Sequence, residues 1–178
     1  MNMQRFLKHL MTGSMAVKAA FPARSMNAIE QAIRESESKH GGQIRFAVEA
    51  ALDLPALRRK QSAAERGVEV FSQLRVWDTE HNNGVLIYLL LADHDVEIIA
   101  DRGIHAKLGS AAWEAICRDM EAAFRLGKFE AGVIHGINTV GNLLQQHFPR
   151  PEPELKNKSS LPVNKLAVNE LTDKPVVL

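Results

Sequence analysis

The acids of this chain gather at the ends of short apolar runs. Asp78 and Glu80 precede Asn83, Asp93 and Asp95 flank His94, and Asp101 is followed directly by Arg102. Carboxylates that converge can hold a hard cation such as Ca²⁺ or Mg²⁺ through oxygen. With such a cation, or with two acids in register, a phosphomonoester can be hydrolysed by attack of an activated water or carboxylate. On that chemistry Asp93, Asp101 and Arg102 are catalytic candidates, Arg102 because a guanidinium grips phosphate oxygens bidentately. Asp93, Asp95 and Asp101 are metal candidates, and Asp78, Glu80 and Asn83 are ligand-binding candidates. Arg45 and Glu49 lie four apart on an alternating run, point to one face, and can line a cleft with His40 at its entrance. The competing structural explanation is that acids at turns stabilise turns and keep strand edges soluble. In that explanation Arg102 pairs with Asp101 or a helix carboxylate, and Arg45 with Glu49 is a plain surface pair.

Other chemistries are poorly served. His81, His94, His105 and His135 have no metal-ligand spacing. There is no Gly-x-Gly-x-x-Gly, no phosphate-loop Lys-Ser or Lys-Thr, no Gly-x-Ser-x-Gly and no basic stripe with interleaved aromatics, so nucleotide, hydrolase-triad and nucleic-acid functions find no support. With 22 basic and 21 acidic residues the net charge is +1, and no global field recruits a polyanion. Cys117 is the single cysteine, which excludes an internal disulfide and suits a reducing compartment, and its helical face makes it a packed thiol.

The elements that must position the acids are legible in the hydrophobic pattern. Val85 to Leu91 is apolar except for Tyr88, too short for a membrane span and suited to a strand covered on both faces. Asp93-His94-Asp95 reverses the chain, and the following run pairs antiparallel, with Val96, Ile98 and Ala100 on one face and Asp95, Glu97, Ile99 and Asp101 on the other. The acids at the two ends of this hairpin are expected on a common rim. Ile44, Phe46, Val48 and Ala50 alternate inward on a further strand, opposite Gln43, Arg45, Ala47 and Glu49. Helices are expected from a Ser25 cap to Gly41-Gly42, from Pro55 to about residue 75, from a Ser110 cap to Gly127, and from Phe129 to Phe148. Residues 75–81 read as a loop. Gly132, Gly136 and Gly141 in the last helix imply close approach to a neighbour. The order suits an α/β/α sandwich, three layers around a small mixed sheet of three to four strands.

Residues 1–24 read as an amphipathic segment in which Arg5 and Lys8 precede a mostly apolar stretch cut short by Lys18; it is a docking or membrane-peripheral element, with a targeting segment as the alternative. Residues 149–178 hold five of the seven prolines among polar residues, a composition expected to be disordered. Localisation is therefore expected to be cytoplasmic, at most membrane-peripheral, or alternatively exported, and no transmembrane span is present in the pattern.

Asn83-Gly84-Val85-Leu86-Ile87 followed by Asp93, then Val96-Glu97-Ile98, Asp101-Arg102-Gly103-Ile104, Trp113 and Phe124-x-x-Gly127-x-Phe129-x-x-Gly132, resemble the TPM domain family, over roughly residues 25–148. That family is named for a thylakoid-lumen protein, a photosystem II repair protein and an acetylcholine-receptor modulator, and this chain is similar to its soluble bacterial branch. His40-Gly41-Gly42-Gln43-Ile44 stands where the family has a Gly-containing turn before its first strand. The resemblance implies an α/β/α sandwich and, for some members, acid-phosphatase activity or calcium binding. Glu80, Asn83 and Asp93 stand in matching functional positions, whereas His94 replaces the usual Arg and Leu108-Gly109-Ser110 lacks the usual loop Asp. The missing acid favours a noncatalytic adaptor of a membrane-associated complex, engaging a partner through the N-terminal segment or the tail, over a weak Ca²⁺- or Mg²⁺-dependent phosphatase.

Overall fold

In a computed structural model, which describes residues 3–150 and 169–178, the apolar heptad is the middle of a sheet. Strand β2 (Gly84–Leu90) is buried at every position. It pairs antiparallel with β3 (Asp95–Ala100) and parallel with β1 (Gln43–Glu49), in register Ile44 with Val85 and Val48 with Leu89. A fourth strand, β4 (Val176–Val177), pairs parallel with β1, so the sheet order is β3-β2-β1-β4. The side-chain period of two splits the core. Ile44, Phe46, Val48, Val85, Ile87, Leu89 and Val96 face one cluster, and Ala47, Leu86, Tyr88 and Leu90 face the other.

Helices cover both faces because both faces are apolar. α3 (Ala23–Glu37), α6 (Arg102–Arg125) and α7 (Phe129–His147) close the first cluster, and α4 (Leu54–Arg58) and α5 (Ala63–Gln73) close the second. α1 (Met3–Met11) leans Phe6 against the second cluster, and α2 (Ser14–Ala20) buries Val17 in the first. The molecule is thus a three-layer α/β/α sandwich around a mixed sheet.

Several boundaries differ from those expected. α3 starts at Ala23 behind Pro22, and Ser25 lies buried inside it, because the proline supplies the extended N-cap geometry three residues earlier. The helix expected over 55–75 is two helices, broken where Lys60 adopts a positive φ of 59°. Ser62 and Glu65 then form a capping box that restarts the helix. α6 begins at Arg102, capped by Asp101, and Ser110 follows a kink at Gly109, whose φ of 70° only glycine adopts readily. Gly127 has the left-handed φ of 72° expected of a helix stop. In α7, Gly132 lies against Phe124 and Gly136 against Met120, close approaches that let α6 and α7 pack.

The tail expected to be disordered from residue 149 is tied down where it is described: Pro149 bridges to His40, and residues 169–178 are a structural part of the sheet. Leu178 N donates to Val48 O at 3.0 Å, and Leu171 packs on the second cluster. Composition missed this because a two-residue strand needs only an open edge to pair with, and β1 provides one. The rest of that expectation, residues 151–168, lies outside the described residues.

Candidate functional site

The polar groups fall into three clusters, and the hairpin separates the acids expected on one rim. Asp93 lies in the turn after β2, whereas Asp101 follows β3, where its N–H donates to Gly84 O at the start of β2. The six steps from Asp95 to Asp101 span about 20 Å at ~3.3 Å each. A single site cannot use both ends, so the common rim is corrected to two separate ones.

At the first end Asp93 is already engaged. Its Oδ2 accepts from Arg5 Nε at 2.9 Å and lies 3.1 Å from Nε2 of the buried His9. His9 Nδ1 accepts from Leu52 N, while its Nε2 lies close to Asp93 without forming a hydrogen bond among the described residues. Asp95, half-buried, is pushed up in pKa by burial and then by Glu121 and Asp93. Nearby, Glu49 receives Arg66 through both oxygens, at 2.8 and 3.1 Å, and the Tyr88 hydroxyl at 2.6 Å. This triad explains how the one polar side chain of the apolar heptad is accommodated: its hydroxyl is satisfied, and burial with the Glu49 charge raises its pKa.

At the opposite end, Asn83 is buried, with its side-chain amide donating to Gly41 O at 2.8 Å. Asp101 Oδ1 accepts from Arg102 N at 2.7 Å. Asn83 Oδ1 and Asp101 Oδ2 are buried without a hydrogen-bond partner among the described residues. The Arg102 guanidinium reaches Asn82 at 3.4 Å rather than a carboxylate. Asp78 is exposed and pairs with Arg75 at 3.6 Å, and the exposed Glu80 presents its N–H to Glu170 at 2.7 Å. These placements do not assemble the six to eight oxygens a calcium ion takes. No group of three His, Cys, Asp or Glu residues with metal-holding geometry occurs among the described residues.

The third cluster went unpredicted. Arg45 and Glu49 share a face but not a partner: Arg45 is buried and donates to Thr172 O, so neither a cleft lining nor a surface pair describes them. Gln43 Oε1 accepts from Glu170 N and Leu171 N, both at 2.9 Å, and Asp173 accepts from Arg34 and Asn169. Glu37, buried beside Asp173 and Arg45, accepts from Ile44 N at 2.6 Å. Burial, aided by Asp173, raises the Glu37 pKa to about 8. His40, expected at a cleft entrance, is buried against Ser36 at 3.0 Å, and burial lowers its pKa to about 4. Glu37 carried no sequence signal, since it reads as one more charge on an amphipathic helix.

Fold and polar layout define an α/β/α sandwich with a helix-capping Asp-Arg turn beside a buried Asn-Gly strand start. The chain belongs to the TPM domain family, whose model matches residues 18–143. Among solved structures it is similar to the BA42 protein of the psychrophilic bacterium Bizionia argentinensis, at 26% identity and a TM-score of 0.72, covering 89% of this chain and 95% of that one. It is also similar in fold to the N-terminal domain of a protein from P. gingivalis, at 18% identity and a TM-score of 0.57, covering 72% and 81%. No curated protein sequence matches it.

Proposed function

We propose that this protein is a noncatalytic accessory module that docks at a membrane surface, where it serves a membrane-associated complex. The observation that carries this reading is the orientation of α1. Its polar side chains Arg5 and His9 face the domain and hold Asp93, while its apolar stripe faces solvent. Met3, Leu7, Leu10 and Met11 recur at helical spacing, and the last three are 53%, 65% and 78% exposed, with Met15 of α2 continuing the patch. Lys8 and Lys18 are exposed beside the patch, the arrangement that seats an interfacial helix among anionic headgroups. No helix among the described residues is long and apolar enough to cross a membrane.

The alternative is a Ca²⁺- or Mg²⁺-dependent phosphatase. Against it stand the engagement of Asp93 by Arg5 and the distance from Asp93 to Asp101; in its favour stand the unpartnered oxygens of Asn83 and Asp101.

The test is flotation of the full chain with vesicles of phosphatidylcholine and phosphatidylglycerol. The parent protein is expected to float with the vesicles, and a Leu7→Glu, Leu10→Glu variant to stay behind with unchanged melting. A parent that does not float overturns the membrane docking. Hydrolysis of p-nitrophenyl phosphate that needs Ca²⁺ or Mg²⁺ and is lost in Asp101→Asn overturns the noncatalytic reading.

A further inference from the structure

β3 is an edge strand, and its free edge borders a cavity. Because Asp101 N bonds to Gly84 O, residues 95, 97, 99 and 101 turn their backbone groups toward β2. Val96, Ile98 and Ala100 therefore turn theirs away from the sheet. Edge strands of this kind are usually blunted or used. Along this edge runs a groove of about 380 Å³ between β3 and α6, floored by Val96, Ile98, Trp113 and Cys117 and rimmed by four carboxylates, Asp95, Glu97, Glu114 and Glu121, with Arg118 and His105 among them.

Three features of the groove point to its occupant. The rim is acidic, and its acids are not equally compensated: Glu114 and Glu121 have helical partners in Arg118 and Arg125, whereas Asp95 and Glu97 form no ion pair among the described residues. Burial raises the pKa of both, with Glu121 and Asp93 adding to it at Asp95 and Asp95 and Glu121 at Glu97, a strain that a cation in the groove relieves. Second, Trp113 is only 4% exposed, and its indole N–H has no acceptor among the described residues. Third, the Cys117 thiol, pushed up to about 12 by burial, stays protonated and serves as an uncharged wall. Outward backbone groups, an orphan N–H donor and an acidic rim together suit one chemistry: an extended chain that carries carbonyls and cationic side chains.

We propose that this groove binds an extended, basic segment of a partner protein, added to the β3 edge as a further strand with Lys or Arg side chains against Asp95 and Glu97. The strand supplies backbone pairing to Val96 and to the carbonyl of Ile98, whose N–H is already held by the Cys117 sulfur. The proposal stands apart from the membrane docking of α1, which lies on a different surface.

The test uses the full chain and the peptide acetyl-Lys-Val-Lys-Val-Lys-Val-Lys-amide, followed by calorimetry and amide NMR at low salt. Saturable one-to-one binding is expected, with the Val96 amide gaining protection from exchange. Glu97→Lys with Glu121→Lys is expected to weaken binding by about tenfold or more. The same peptide with alternate backbone amides N-methylated is expected not to bind, a control that needs no variant to fold. Absence of binding overturns the proposal, as does equal binding of the N-methylated peptide, which would reduce the effect to charge alone. Vesicle flotation is measured without the peptide and peptide binding without vesicles, so the two readings fail separately.

Discussion

Arg5 and Asp93, 88 residues apart in the chain, meet at 2.9 Å and tie the N-terminal helix to the β2–β3 turn. The buried His9 stands on the same carboxylate oxygen. An acid that sequence places among catalytic and metal candidates is therefore a clasp, and its removal should release α1 rather than abolish a reaction.

Asp93→Ala should lower stability by about 1–3 kcal/mol, since it leaves Arg5 Nε without its acceptor. Hydrogen exchange should rise across residues 3–11 while β2 stays protected. An unchanged exchange profile in α1 would show that Phe6 packing and the hydrogen bonds to Gln61 and Leu52 hold the helix without Asp93.

Stability should also depend on pH through Glu37. Its pKa is raised from 4.5 to about 8 in the folded protein, so the native state binds the extra proton. The stabilisation is complete below the unfolded value near 4.5 and is lost as pH climbs toward 8. Glu37→Gln, which mimics the protonated acid, should flatten this slope and gain on the order of 2 kcal/mol at pH 8. Melting curves between pH 5 and 8.5 decide the point, and a parent whose melting is flat over that range contradicts it.

His40 titrates in the opposite sense. Burial lowers its pKa from 6.5 to about 4, so the unfolded state binds the extra proton and stability falls as pH drops through that interval. His40→Gln should remove the acid-side part of the loss without touching the Glu37 slope above pH 6. The combined expectation is a melting maximum that moves toward higher pH in the Glu37→Gln variant.

Deleting residues 169–178 should destabilise the domain by about 3 kcal/mol, because the buried Gln43 and Arg45 lose their partners. For a chain of this size that is a fall of about 6–12 °C in melting temperature. A fall under 2 °C would show that the segment adds little beyond its contacts.

Tyr88→Phe should cost about 1–2 kcal/mol, leaving Glu49 with Arg66 but without its 2.6 Å donor. Arg66→Ala should cost more, since it strands a nearly buried Glu49 charge. A double variant no worse than Arg66→Ala alone would show that the three groups act as one unit.

How much was legible follows from what each signal measures. The Val85–Leu91 run announced a strand buried on both faces because seven apolar side chains alternate between two faces only if both are covered. The Ser62-x-x-Glu65 capping box was equally local and equally readable, although the apolar stripe running past it masked the break at Lys60. The candidate site was far less legible. Composition marks Asp93, Asp95 and Asp101 as acids near turns, but whether acids meet depends on which end of a hairpin each occupies.

By itself the amino-acid order settled the layered fold class, the hairpin, the left-handed stop at Gly127 and the family resemblance, all of which rest on residues within a few positions of one another. Only the tertiary structure decided that α1 turns its apolar stripe outward, that the C-terminal residues close the sheet beside β1, and that Glu37 is buried against Asp173. Those are contacts between segments far apart in the chain. Their free energy comes from burial and pairing that exist only after the chain has closed on itself, so no local pattern records them.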